Sequence, residues 1–156
     1  MKVSDILRVK GGTLFTAQPG DDLVKAVSTM SELDIGSLAV MEQGKMVGML
    51  TFREVIHTLA RHGGTLGAQT VGAVMDRDPA TCTPETDITE VRPLMLERHT
   101  RYMPVLEGGD LMGVISFYDV AKAVVDAQDF ENRMLKAYIR DWPADGAPSQ
   151  HGIGKP

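Results

Sequence analysis

The chain contains one sequence unit twice. Residues 48–54 read Gly-Met-Leu-Thr-Phe-Arg-Glu, and residues 113–119 read Gly-Val-Ile-Ser-Phe-Tyr-Asp. Each copy therefore has a glycine, two apolar residues, a hydroxyl, an aromatic residue, a variable residue and a carboxylate. The same offset pairs Pro19 with Pro84 and Met30 with Met95. An internal repeat predicts two copies of one supersecondary unit. A unit of about 60 residues buries too little surface to be stable alone, so we expect the copies to pack against each other.

The apolar pattern within each copy predicts an α+β fold in the order β-α-β-β-α. The chain then divides into a first repeat, a glycine-rich linker, a second repeat that ends in a longer helix, and a polar tail. Their predicted bounds are 1–62, 63–70, 71–142 and 143–156. The tail is rich in glycine and proline and is predicted to be disordered.

Three local features of the second repeat give further predictions. The residues from Ala80 to Thr83 are predicted to form a short strand. Pro93 lies inside a predicted helix over residues 87–98 and should kink that helix or delay its start. The triplet Asp76-Arg77-Asp78 is interpreted as an ordinary polar turn.

Composition argues against several classes of function. The formal net charge of −5 does not favour a nucleic-acid-binding surface. No apolar run approaches the ~20 residues that a membrane span needs, and Met1 to Asp5 lack the apolar core of a signal peptide. The single cysteine, Cys82, suits a reducing cytoplasm. No nucleophile–base pair, metal-ligand spacing or phosphate-binding glycine-rich loop is recognisable, so we expect no enzyme and no catalytic cofactor.

The repeated motif suggests a nucleotide site. Thr51 and Ser116 come at the end of a predicted strand, where a helix begins, and free N–H groups at a helix start attract anions. Glu54 and Asp119 follow three residues later, and a carboxylate binds ribose hydroxyls in dinucleotide folds. A hydroxyl followed three residues later by an acid is also the helix capping box. Spacing alone leaves both interpretations open.

The pattern resembles a tandem pair of cystathionine-β-synthase (CBS) domains over residues 3–140. In the second repeat the resemblance is carried by 81–84 (Thr-Cys-Thr-Pro), 101–105 (Arg-Tyr-Met-Pro-Val) and Gly113 to Asp119. In the first repeat it is carried by 16–19, 35–40 and 48–54. The resemblance implies a stand-alone pair that forms a pseudo-twofold disc with two clefts. Each cleft would hold an adenosyl ligand, with the acid on ribose and the hydroxyl and nearby basic residues on phosphate.

The resemblance also implies the residues of each cleft. One cleft is expected to contain Ser116, Asp119, Thr81, Cys82, Met103 and Pro104. The other is expected to contain Thr51, Glu54, Thr16, Ala17, Leu38 and Ala39. The candidates for phosphate contact are Lys10, Arg53, Arg98, His99 and Arg101. His99 and Arg101 are assigned to the cleft of Asp119, because they directly precede its bordering strand. Glu54 replaces the family's aspartate and moves the carboxylate by about 1.5 Å, which favours the Asp119 cleft.

These features predict a cytoplasmic regulatory module that binds AMP or ATP, with ADP, NAD and S-adenosylmethionine as alternatives. Its regulated partner protein is unknown. The alternative function is a dimerisation scaffold with degenerate clefts. A homodimer is predicted from the apolar stripe on the last helix, because large exposed apolar patches mark interfaces and twofold pairing is the commonest assembly. The stripe contains Phe130, Leu135, Tyr138 and Trp142.

Overall fold

Eleven helices and strands follow each other in the described part of the chain, which in this computed structural model is residues 1–141. The fold is α+β, as the sequence predicts. The predicted tail over 143–156 and Trp142 of the apolar stripe lie outside the described residues. The first repeat contains α1 (Val3–Lys10), β1 (Thr16–Ala17), α2 (Leu23–Leu33), β2 (Ser37–Glu42), β3 (Lys45–Thr51) and α3 (Phe52–Arg61). The second contains α4 (Val71–Val74), α5 (Ile88–Glu97), β4 (Tyr102–Glu107), β5 (Asp110–Ser116) and α6 (Phe117–Arg140).

The two hairpins show the repeat in three dimensions. β2 pairs antiparallel with β3, and β4 pairs antiparallel with β5, in the same register. Val40 lies opposite Gly48 and Val105 lies opposite Gly113, and the register shifts directly after both pairs. β1 adds a parallel strand to the first hairpin. In the second repeat the predicted strand 80–83 is reduced to one bridge, at Cys82, because only that residue exchanges backbone hydrogen bonds with β4.

The short leading helix of each repeat packs against the other repeat. In α1, the Val3 N–H donates to the Thr86 carbonyl at 2.9 Å, and Leu7 lies against Gly113. In α4, Val71 joins the apolar core of the first repeat, which includes Leu23. The first repeat and the second repeat as far as Val120 belong to one compact unit, Met1–Val120. The repeat bounds at 62 and 71 stay a prediction.

Side chains at the helix starts explain most of the helix bounds. Asp22 caps α2 and Asp87 caps α5, each by accepting a hydrogen bond from an N–H of the first turn. Pro93 lies within α5, which begins five residues earlier at Ile88, so the proline does not delay the helix start. The predicted kink at Pro93 stays a prediction.

The last helix enters the compact unit only with its first turn. Val120 is buried, and the residues from Ala121 form a unit of their own. Within that unit Lys122 pairs with Asp126 at 2.9 Å. Phe130, Met134 and Leu135 are each more than half exposed. None of the helices in the described residues combines the length and apolar character of a membrane span, and the cytoplasmic location stays a prediction.

Candidate functional site

A cleft of about 910 Å³ lies between the two repeats, which is within the usual size of small-molecule sites. Its first wall is the end of β3 and the start of α3, from Thr51 to His57. Its second wall is the end of α5 and the start of β4, from Glu97 to Tyr102. Asp76, Pro79 and Ala80 close the side between these walls. The cleft therefore contains the hydroxyl and the acid of the first repeat together with basic residues of the second.

Glu54 has a capping role that leaves part of its carboxylate available. Its Oε1 accepts from the Thr51 N–H at 2.7 Å and from the Thr51 hydroxyl at 2.8 Å. The capping-box interpretation is therefore correct for this copy. Because a carboxylate has about four acceptor positions, capping through Oε1 leaves Oε2 to accept from a ligand. Among the described residues no hydrogen bond falls on Oε2.

Arg98, His99 and Arg101 line the cleft of Thr51 and Glu54, whereas His99 and Arg101 were assigned to the cleft of Ser116 and Asp119. The backbone does run beside the second motif, since the Phe117 N–H donates to the Arg101 carbonyl at 2.8 Å. The side chains nevertheless line the wall that faces α3. A contact of these side chains with a ligand at the second motif stays a prediction.

Three guanidinium groups, two histidines and three carboxylates line this cleft. The histidines are His57 and His99 and the acids are Glu54, Asp76 and Glu97. Arg98 donates to the Asp78 carbonyl at 3.0 Å. Within residues 1–141, Arg53 and Arg101 form no ion pair with a carboxylate. These two cations are therefore available to an anionic ligand.

The second motif is already engaged by a lysine of α1. Asp119 Oδ2 accepts from the Ser116 N–H at 2.8 Å and from Lys10 Nζ at 2.6 Å. The Ser116 hydroxyl accepts in return from the Asp119 N–H at 3.0 Å, so this copy also forms a reciprocal cap. Burial alone would raise the pKa of Asp119, but Lys10 and Ser116 outweigh burial and lower it. Lys10, a candidate for phosphate contact, instead neutralises the acid expected to hold ribose.

Most of the side chains expected around the base are buried, and none of them lines the described cleft. Only Thr16 and Thr81 are exposed. Burial raises the pKa of the Cys82 thiol to about 12, which makes it a core thiol rather than a reactive one. The buried members are Ala17, Leu38, Ala39, Cys82, Met103 and Pro104. Their part in ligand binding stays a prediction.

Several lining residues were missed by the sequence reasoning. Asp76, interpreted as part of a polar turn, exchanges two backbone hydrogen bonds with Met49 at 2.8 and 2.9 Å. Pro79 and Ala80, a few residues further on, line the same cleft as the start of α3. Tyr102 is the first residue of β4. Its phenol group, together with the Phe52 ring, occupies the space where a Cβ atom on Gly36 of the first repeat would lie. Only the packing of one repeat on the other reveals these positions.

Comparison with known proteins finds the same two repeats that the sequence shows. A family model described as the CBS domain matches residues 3–61 and again residues 71–126. The CBS domain-containing protein CBSX3, mitochondrial, of Arabidopsis thaliana is 29% identical over 147 residues, covering 88% of this chain and 71% of that protein. A putative signal-transduction protein with CBS domains from Burkholderia ambifaria MC40-6 superposes with a TM-score of 0.76 and 30% identity, over 82% of this chain and 96% of that one. CBSX2, solved in complex with AMP, superposes with a TM-score of 0.67 at 21% identity, over 81% of this chain and 98% of that one.

Proposed function

Because the chain belongs to the CBS-domain family and carries the domain twice, we propose that it is a regulatory module that binds an adenosine nucleotide. The nucleotide occupies the cleft of Thr51 and Glu54 and changes the protein's conformation or its affinity for a partner protein. The module acts by binding and not by catalysis. The AMP complex of CBSX2, a protein of similar fold, supports this ligand class.

One observation supports the proposal: the cleft holds the Glu54 carboxylate together with two guanidinium groups, Arg53 on the same wall and Arg101 on the opposite wall, that form no ion pair within residues 1–141. Glu54 on the first wall offers Oε2 to ribose hydroxyls. Arg101 on the second wall and Arg53 at the start of α3 offer donors to phosphate. Carboxylate and phosphate each make charge-assisted hydrogen bonds, which are stronger than neutral ones. An adenosine phosphate carries both ribose hydroxyls, which can donate to Glu54, and a phosphate, which can accept from Arg53 and Arg101.

The arrangement favours a phosphorylated ligand over a neutral one. Cations and acids are balanced in number around the cleft, so net charge does not decide the question. The position of the cations decides it, because Arg98, His99 and Arg101 lie close together on one wall. AMP and ATP fit this description best, with ADP and NAD sharing the same chemistry. S-adenosylmethionine lacks phosphate and should bind more weakly here.

The alternative function, a dimerisation scaffold, is favoured by one observation at the second motif. Asp119 is paired with Lys10, as a degenerate cleft would allow. No comparable pairing blocks Glu54 in the described residues. A ligand-binding experiment therefore separates the two functions.

We expect AMP and ATP to raise the unfolding temperature, and adenosine and S-adenosylmethionine to raise it less, in a thermal-shift panel at low salt. Affinity should be roughly micromolar to sub-millimolar, as is suitable for a sensor that must release its ligand. Binding should weaken with added salt, because phosphate pairing near the surface is screened. A panel in which no adenosyl compound stabilises the protein would favour the scaffold. Equal binding of adenosine and AMP would remove the phosphate contacts from the proposal.

We also predict a homodimer formed through the last helix. Phe130, Met134 and Leu135 are 57–58% exposed, and pairing two such helices would bury these side chains at about 25 cal/mol per Å² of apolar surface. Light scattering at tens of micromolar protein should give twice the mass of the chain. The variant Leu135→Glu should shift the protein toward the monomer, while Glu131→Gln, on the same helix, should not. A wild-type monomer at that concentration would contradict the prediction.

A further inference from the structure

We propose that Lys10 acts as an internal lock on the second motif, so that one chain binds a single nucleotide, in the cleft of Glu54. The inference rests on the proposed function, since it concerns how many of the two motifs are open to the ligand. It also reverses the expected role of Lys10, from a contact that helps to bind phosphate to a group that keeps the ligand out.

The contact between Lys10 and Asp119 carries the proposal. Lys10 Nζ lies 2.6 Å from Asp119 Oδ2, and the carboxylate side chain is only 19% exposed. The same oxygen also accepts from the Ser116 N–H. Lys10 therefore sits on the carboxylate that would have to accept from ribose, and it neutralises that carboxylate's charge. A ligand can use Asp119 only after the ammonium group has moved away.

The anchoring of α1 holds Lys10 in this position. The Val3 and Ser4 N–H groups donate to carbonyls of Thr86 and Pro84, both at 2.9 Å. Val3 is fully buried and Ile6 is nearly so. Lys10 is the last residue of this helix. Its side chain is therefore presented to the second repeat by a docked helix, although it belongs to the first repeat in sequence.

The second motif also lacks the cations that the first cleft has. Asp34 and His99 are equivalent in the repeat, and both adopt positive φ, 55° and 50°, within two residues of a helix end. Gly36 is the equivalent of Arg101 in the same register. The first repeat thus offers an acid and a glycine where the second offers an imidazole and a guanidinium. In the wild type a nucleotide would therefore have to displace Lys10 from Asp119 without gaining another cation at these positions, so the Lys10–Asp119 pair is not outcompeted.

Calorimetric titration with AMP, and separately with ATP, tests the proposal through the number of ligands bound. Wild-type protein should bind one nucleotide per chain. Lys10→Ala should bind two, with the affinity of the second site raised about tenfold or more, because removing a competing closed state raises apparent affinity by the inverse of the open fraction. Lys10→Met, which keeps the aliphatic stem, should behave in the same way and replaces Lys10→Ala if that variant unfolds.

Two further variants separate the lock from a general loosening of α1. Lys2 lies at the start of the same helix and pairs with Glu85 of the second repeat at 2.8 Å, so Lys2→Ala removes a matched ion pair and should leave one nucleotide per chain. Lys10→Ala combined with Asp119→Ala should lose the second nucleotide again.

Each remaining outcome overturns either the lock or the proposed function. Two nucleotides on wild-type protein, one on Lys10→Ala, or weaker binding to Lys10→Ala would each overturn the lock. A second nucleotide on Lys2→Ala would overturn it as well. Absence of any binding to wild-type protein would overturn the proposed function instead.

Discussion

Replacing Arg101 with alanine is expected to weaken AMP binding about ten- to hundredfold, because a hydrogen bond to a charged group contributes roughly 1.5–3 kcal/mol. The guanidinium lines the cleft opposite Thr51 and Glu54 and pairs with no carboxylate in residues 1–141. Its loss therefore leaves the ligand's phosphate without that donor. The side chain is exposed, so the fold should not change. Calorimetry with AMP, and with adenosine in parallel, measures the effect.

A matched variant shows whether the effect is local. Arg92 is an exposed arginine of α5 that does not line the cleft, so Arg92→Ala removes the same charge at a distance. It should leave AMP affinity within about twofold, because Arg92 does not line the cleft and exposed charges are screened by salt. Adenosine affinity should change little in Arg101→Ala. Equal losses for AMP and adenosine, or equal losses in Arg92→Ala and Arg101→Ala, would show that Arg101 does not contact phosphate.

Replacing Gly48 with alanine is expected to lower the free energy of unfolding by about 2–3 kcal/mol, as overpacking a tight interior does. A Cβ atom at Gly48 would lie 2.7 Å from the Asp76 carbonyl oxygen and 2.8 Å from Met75 Sδ. The Met75 side chain can move, but Asp76 is held to Met49 by two backbone hydrogen bonds. The backbone bridge between Met49 and Asp76, two residues that line the cleft, would therefore have to shift. Urea unfolding of the wild type and the variant measures the loss.

The equivalent glycine of the second repeat provides the control. A Cβ atom at Gly113 would meet only the end of the Leu7 side chain, at 2.7 Å, and that methyl group can turn away. Gly113→Ala should therefore be destabilised less than Gly48→Ala. Gly20→Ala, with no atom within 4 Å of the added Cβ, should be close to neutral. If Gly113→Ala lost as much stability as Gly48→Ala, contact with the Asp76 backbone would not be the cause.

Local sequence patterns were sufficient for most of the secondary structure. The β-α-β-β-α order of the first repeat was predicted correctly, because apolar periodicity and turn residues act within a few positions along the chain. The repeat predicted two equivalent hairpins, and their registers agree residue for residue. The strand 80–83 was predicted too long, since an apolar segment of four residues does not show how many of its backbone groups find a partner.

The position of the hydroxyl and the acid was also available from the sequence. Thr51 and Glu54, and likewise Ser116 and Asp119, lie at the junction of a strand and a helix and bond to each other there. Both members of each pair are within one helical turn, so their geometry is local. The spacing could not show whether capping excludes ligand binding, because that depends on what else reaches the carboxylate.

Tertiary structure alone decided which groups meet across the repeats. Lys10 reaches Asp119 over a separation of 109 residues, and Arg101 lines the cleft of Glu54 although its backbone adjoins Phe117. Such contacts depend on the packing of α1 against the second repeat and of α4 against the first. This packing is stabilised by the burial of apolar surface over the whole unit. The total buried surface depends on residues far apart in the chain, so no short stretch of sequence predicts it.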